Sequence, residues 1–96
     1  MILYLVSYDI EREPVATALR EKLKELRAKP ILESEWLLES DATAEMIFVN
    51  LAGDLDHNKN SLMVVELCRN AVYTKNTLLT DHHVVNAIFE RSAHRC

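Results

Sequence analysis

The sequence predicts a single α+β domain on a mainly antiparallel sheet, and three stretches carry that expectation. Leu3-Tyr4-Leu5-Val6-Ser7-Tyr8-Asp9 and Leu62-Met63-Val64-Val65-Glu66-Leu67-Cys68 are both rich in the aliphatic, β-branched and aromatic residues that suit a pleated surface. Each is apolar at alternate positions of both parities, so each is a strand with two largely apolar faces, and the first reads as a central strand covered on two sides. Between them Val15, Leu19, Leu23 and Leu26 recur at helical spacing, giving a stripe that packs against one of those strand faces.

The elements follow in order. The first strand ends in Asp9, and Glu13-Pro14 opens a helix, because proline is tolerated in a first helical turn and acids favour the positive end of the helix dipole. That helix is expected to reach about Ala28. Pro30 stops it, and Ile31–Ser34 with Glu35–Leu38 reads as two short strands in a bent strand or tight hairpin, with Trp36 as a core or interface anchor. Asp41 or Thr43 caps a second helix over Ala44–Leu55, with Ile47, Leu51 and Leu55 on its buried face. Met46-Ile47-Phe48-Val49 also suits a strand by propensity. The polar loop Asp56–Asn60 separates this segment from the Leu62–Cys68 strand. Val72-Tyr73 adds a short edge strand, and Thr80 caps a last helix to about Arg91 with Val84, Val85, Ile88 and Phe89 on one face.

This order places two crossovers on one face of the sheet, the ferredoxin-like split β-α-β arrangement with helices on one face plus a C-terminal helix. Residues 1–75 form the ferredoxin-like domain and 76–96 a C-terminal helical extension. Leaving Leu3, Leu5, Leu62 and Val64 in water on the other face would be costly for so small a domain. A homodimer packed through that face is therefore expected.

Composition excludes several function classes. The chain has 96 residues, 49% of them hydrophobic, with one glycine and two prolines, which leaves no glycine-rich phosphate cradle and no low-complexity linker. A formal net charge of −4 lowers the expectation of a strongly basic nucleic-acid binder. Arg20, Lys24 and Arg27 nevertheless form a cationic row on the first helix, interleaved with Glu21 and Glu25. It reads either as a solvated helix face or as a nucleic-acid phosphate contact. Cys68 and Cys96 lack paired spacing, and no long apolar span or leader accompanies them, so a cytoplasmic protein without a membrane segment is expected. Cys68 is expected to be a small buried or half-buried hydrophobe and Cys96 an exposed thiol. Asp81-His82-His83 has metal-ligand side chains, but adjacent helical residues are expected to diverge rather than converge on one ion. Asp56, His57 and Asn58 have ligand atoms too, and are also ordinary loop residues.

Leu3, Val6-Ser7-Tyr8-Asp9-Ile10, the first helix with Arg20, Ser34-Glu35-Trp36-Leu37 and the Leu62–Leu67 strand together resemble the small SinR-like proteins. These are similar to the ferredoxin-like CRISPR-associated adaptation subunit and to the VapD toxins. The resemblance covers roughly residues 1–73 and leaves the C-terminal helix unmatched. It implies a homodimer packed sheet on sheet, with one aspartate from each protomer near the two-fold axis and, in active members, metal-dependent endonuclease cleavage of RNA or DNA. Asp9 is the residue that carries over, as catalytic residue and ligand of a divalent cation such as Mg or Mn. Asp9 also reads as a cap of the following turn. No second acid or histidine is evidently placed beside it. The competing reading is a non-catalytic protein-interaction module, such as an antitoxin or adaptor subunit, using apolar residues outside its own core.

Overall fold

A computed structural model describes residues 1–53, 55, 60–69 and 79–95. The chain order is β1 (Ile2–Ile10), α1 (Glu13–Glu25), β2 (Lys29–Leu32), β3 (Glu35–Ser40), α2 (Ala44–Ala52), β4 (Asn60–Glu66), β5 (Cys68–Arg69), α3 (His82–Ser92) and β6 (His94–Arg95). The main sheet has the order β2-β3-β1-β4 with all neighbours antiparallel, so the expected α+β class with an antiparallel sheet is present. β1 lies inside it, between β3 and β4, with both of its apolar faces covered by core, whereas β4 is an edge strand. The expected edge strand Val72-Tyr73 falls outside the described residues, as do the loop candidates Asp56, His57 and Asn58.

The first sheet face carries Tyr4, Val6, Tyr8, Trp36 and Leu38, packed with Leu19 and Leu23 of α1 and Ile47 and Leu51 of α2. Within it the Tyr4 hydroxyl donates to the Ala42 carbonyl at 2.6 Å, and Trp36 Nε1 donates to the Tyr8 hydroxyl at 3.3 Å. Their polar tips are therefore satisfied where their rings are buried. Burial raises the Tyr4 pKa above its ordinary value, helped by the nearby Glu66 carboxylate. Trp36 is thus a core residue.

α1 is shorter than the periodicity predicts and buries a different stripe. Ala16, Leu19 and Leu23 are buried, Val15 is half-buried and Leu26 is exposed. The helix ends early because Arg27 takes a left-handed conformation with φ 63°. The Arg27 amide then donates to the Lys24 carbonyl and the Ala28 amide to the Leu23 carbonyl, both at 2.9 Å. This is a Schellman ending, which satisfies terminal carbonyls and turns Ala28 into the core. Glycine is the residue such a position favours, since a side chain there costs about 1 kcal/mol. Arg27→Gly should raise stability by roughly 0.5–1 kcal/mol, read as a higher urea midpoint at unchanged slope. A lower midpoint would show that the Arg27 side chain contributes more than its backbone costs.

The hairpin between β2 and β3 turns through Glu33 and Ser34, with a register irregularity between Pro30 and Leu32. Thr43 caps α2, its side chain accepting from the Met46 amide at 3.2 Å. Ile47 and Leu51 are buried, whereas Met46, Phe48 and Val49 are exposed.

The register of β4 corrects one expectation. Leu62 pairs with Tyr8 and Val64 with Val6, so both lie on the first face against the α1/α2 core. Met63 and Val65 instead share the second face with Leu5 and Ser7, their β1 register partners. α3 also covers part of that second face. Val85 and Ile88 pack with Leu3, Leu37 and Ala93, while Leu5, Ile31, Leu67 and Phe89 pack around them. Leu3 is consequently fully buried within one chain. The full-face homodimer expected from Leu3, Leu5, Leu62 and Val64 has no such apolar face to use.

α3 is capped by Asp81 rather than Thr80, with the Asp81 carboxylate accepting from the His83 amide at 2.8 Å. Thr80 Oγ1 donates to the Pro30 carbonyl at 2.5 Å, and the Leu79 amide donates to the Ile31 carbonyl at 2.9 Å. The entry to α3 is therefore tied to β2. At its other end the Arg91 guanidinium donates to both Glu39 carboxylate oxygens, at 2.9 and 2.6 Å, and Ser92 Oγ also donates to Glu39. β5 and β6 then pair in parallel, Cys68 opposite His94. Cys68 is exposed and disulfide-bonded, against the expectation of a small buried or half-buried hydrophobe. Cys96 lies outside the described residues. Among the described residues no helix is long and apolar enough to cross a membrane.

Candidate functional site

The second face of the sheet is divided. α3 covers the half around Leu3 and Leu37 and leaves open the half around Ser7, Asp9, Glu35, Ser61 and Met63. Alternation along β1 puts Leu3, Leu5, Ser7 and Asp9 on this face. The β1–β3 register sets Ser7 opposite Glu35, and the β1–β4 register sets Asp9 opposite Ser61 and Ser7 opposite Met63. Directly paired residues share a face, so these side chains project together.

Asp9 is exposed at the end of this row, beside a shallow depression lined by Ser7, Ser61 and Met63. Glu35 is half-buried, and Ser7 Oγ donates to its Oε2 at 2.5 Å. Glu35 and Asp9 are diagonal neighbours, a relation that places backbones about 7–8 Å apart and side chains closer. Glu35 is therefore the second acid that the sequence did not reveal. It is 26 positions away in the chain (35 minus 9), and only the strand register brings it near. Its one local signal is the two-residue Glu33-Ser34 turn that starts β3 at Glu35. The two carboxylates and two hydroxyls on this face offer only oxygen donors, the kind that a hard divalent cation takes.

The predicted cationic row does not join these acids. α1 packs on the first face, whereas Asp9 projects from the second. The row itself is also broken, because α1 ends at Glu25 and Arg27 leaves the helix in its left-handed conformation. Arg20 is ion-paired with Glu13, and Lys24 Nζ lies 3.4 Å from Glu21. The Glu13 contact raises the Arg20 pKa, with the Tyr8 hydroxyl adding to it. Exposed pairs of this kind contribute less than about 1 kcal/mol, so a polyanion can still compete for these cations.

A second groove lies between α1 and α2, lined by Pro14, Val15, Ala18, Lys22, Leu51 and Leu55. It contains no acid or histidine, so its shape offers a surface but no chemistry.

Asp81, His82 and His83 behave differently from the sequence expectation. Their ligand atoms all lie within 4.8 Å of one another, and all three side chains are exposed. The two imidazole centroids are 4.0 Å apart with the rings tilted by 40°. Divergence is the rule inside a helix, but Asp81 is a cap with φ −51° and ψ 136°, and from this non-helical backbone its carboxylate accepts from the His83 amide over the first turn. Comparison of the chain with family profiles, curated proteins and solved structures finds no match.

Proposed function

We propose that the chain acts as a nucleic-acid-associated homodimer in which Asp9 and Glu35 hold a divalent cation for phosphodiester cleavage. The observation that carries this reading is that strand register puts Asp9, Ser7, Glu35 and Ser61 on the open half of the second sheet face, with Ser7 Oγ donating to Glu35. The β-α-β-β-α-β order and the strand order β2-β3-β1-β4 support a ferredoxin-like arrangement for the first 66 residues. The resemblance to SinR-like proteins through Val6–Ile10 and Ser34–Leu37 is consistent with it.

Two copies meeting through the open half would bury Met63 and Val65, which are 51% and 36% exposed, and would bring both sets of acids to the two-fold axis. When bound there, a cation such as Mg or Mn would supply charge neutralisation at phosphate and an activated water. The Asp9 and Glu35 carboxylates would hold it, and the Ser7 hydroxyl donates to Glu35.

Asp9→Asn and Glu35→Gln should each lower Mg- or Mn-dependent cleavage of RNA or DNA on the order of a hundredfold or more while retaining the fold. Met63→Glu should shift sedimentation from dimer to monomer. Full cleavage by Asp9→Asn, or cleavage unaffected by excess chelator, would place the chemistry elsewhere.

One set of observations favours a second reading, a non-catalytic protein-interaction module. Met46 and Val49 of α2 are 62% and 64% exposed, and Arg20, Lys24 and Arg91 are each paired with a carboxylate. Wild-type protein that binds no nucleic acid at low salt would favour this module.

A further inference from the structure

We propose that Asp81, His82 and His83 form a binding site for a borderline transition-metal ion of the zinc or nickel type, separate from the acids on the sheet. Two imidazole nitrogens and one carboxylate oxygen are the donors such ions take, whereas Mg and Ca prefer oxygen alone. The site is therefore chemically distinct from Asp9 and Glu35, and it does not rest on the function proposed for them.

Geometry supports one ion rather than three independent side chains. Ligand bonds of about 2.0–2.2 Å in a tetrahedral site put ligand atoms roughly 3.3 Å apart. The present spread is at most 4.8 Å, and exposed side chains close such a gap by small torsional changes. The backbone that carries them is held on both sides. Leu79 and Thr80 are bonded to Ile31 and Pro30 of β2, while Asp81 is fixed by its bond to the His83 amide. That bond uses Oδ1 and leaves the second carboxylate oxygen for the ion. The positive end of the α3 dipole opposes a cation here, and the Asp81 charge offsets it. Three protein donors leave at least one coordination position for water or an outside ligand. A bound ion would also join the tied Leu79–Thr80 segment to the first turn of α3, strengthening the attachment of that helix to the sheet.

The test is titration of the untagged full chain, under non-reducing conditions that keep Cys68 bonded. Zinc is followed by calorimetry and cobalt by its visible absorption. Wild type should bind one equivalent of zinc. Asp81→Asn, which keeps the capping oxygen, and His82→Ala and His83→Ala should each weaken binding by more than the roughly 10–100-fold typical of losing an outer-shell partner. His94→Ala and Asp9→Asn should leave it unchanged. Far-ultraviolet circular dichroism checks that each variant is folded, and zinc should raise the wild-type Tm but not that of His83→Ala. Absence of zinc binding by wild type, or affinity unchanged in all three site variants, would overturn the proposal.

Discussion

Leu3→Ala should destabilise the protein by about 2–5 kcal/mol, the range for emptying a buried leucine site. Leu3 is fully buried on the central strand, where it meets Leu37 of β3 and Val85 and Ile88 of α3. The cavity would open between a sheet and a helix. Sheet and helix surfaces collapse poorly onto each other when the strand is held on both sides by β3 and β4. Part of the loss should appear as release of α3, so amide exchange in 82–92 should accelerate more than in α1. Leu23→Ala on the opposite face provides the comparison, since Leu23 is equally buried but packs in the α1/α2 core. It should lower global stability similarly without selectively loosening α3. A Leu3→Ala loss below about 1 kcal/mol would mean that α3 contributes little to covering the second face.

Glu39→Gln should cost about 1–2 kcal/mol at neutral pH and remove an acid-sensitive component of stability. Hydrogen bonds to charged groups contribute roughly 1.5–3 kcal/mol, a figure reduced here by the exposure of Arg91. The Glu39 side chain is 21% exposed, against 60% for Arg91, so Glu39 is the covered member of the pair. The Arg91 guanidinium holds the Glu39 pKa below its ordinary 4.5, with Ser92 acting in the same direction and burial opposing. A carboxyl depressed in the folded state adds stability that is complete above its unfolded pKa. That stability is lost as pH falls through the lower folded value. Wild type should therefore lose this contribution below about pH 4.5, and its difference from Glu39→Gln should shrink there. Urea denaturation at neutral pH and at successively lower pH measures both curves. Parallel curves across the acid range would show that the Arg91 contact does not stabilise the fold.

Both predictions concern α3, whose existence is legible in the sequence but whose docking is not. Val85 and Ile88 at helical spacing announce an apolar stripe that must be covered. Which sheet face receives it depends on the covering of the other face by α1 and α2 and on the tie of Thr80 to Pro30. β1 is readable for a related reason, because apolar residues of both parities require a covered central strand and place Asp9 at its end. Local capping is partly readable: of the two candidates Asp41 and Thr43 it is Thr43 that caps α2, while α3 is capped by Asp81 and not by Thr80. The end of α1 is not, because a left-handed Arg27 follows from the Schellman bonds and the burial of Ala28 rather than from residue preference.

The candidate site separates the two kinds of information most sharply. Asp9 is visible as an acid after an apolar strand, since alternation along one strand is a property of the chain alone. Glu35 is invisible as its companion, because a one-residue change of register between β1 and β3 would send it to the other face. The same dependence sends Leu62 and Val64 to the helical side and leaves Met63 and Val65 open. Periodicity within an element thus determined which residues share a face. Tertiary pairing decided which faces meet, because strand register and helix docking are set by contacts between segments distant in the chain, and no single segment contains the information to choose among them.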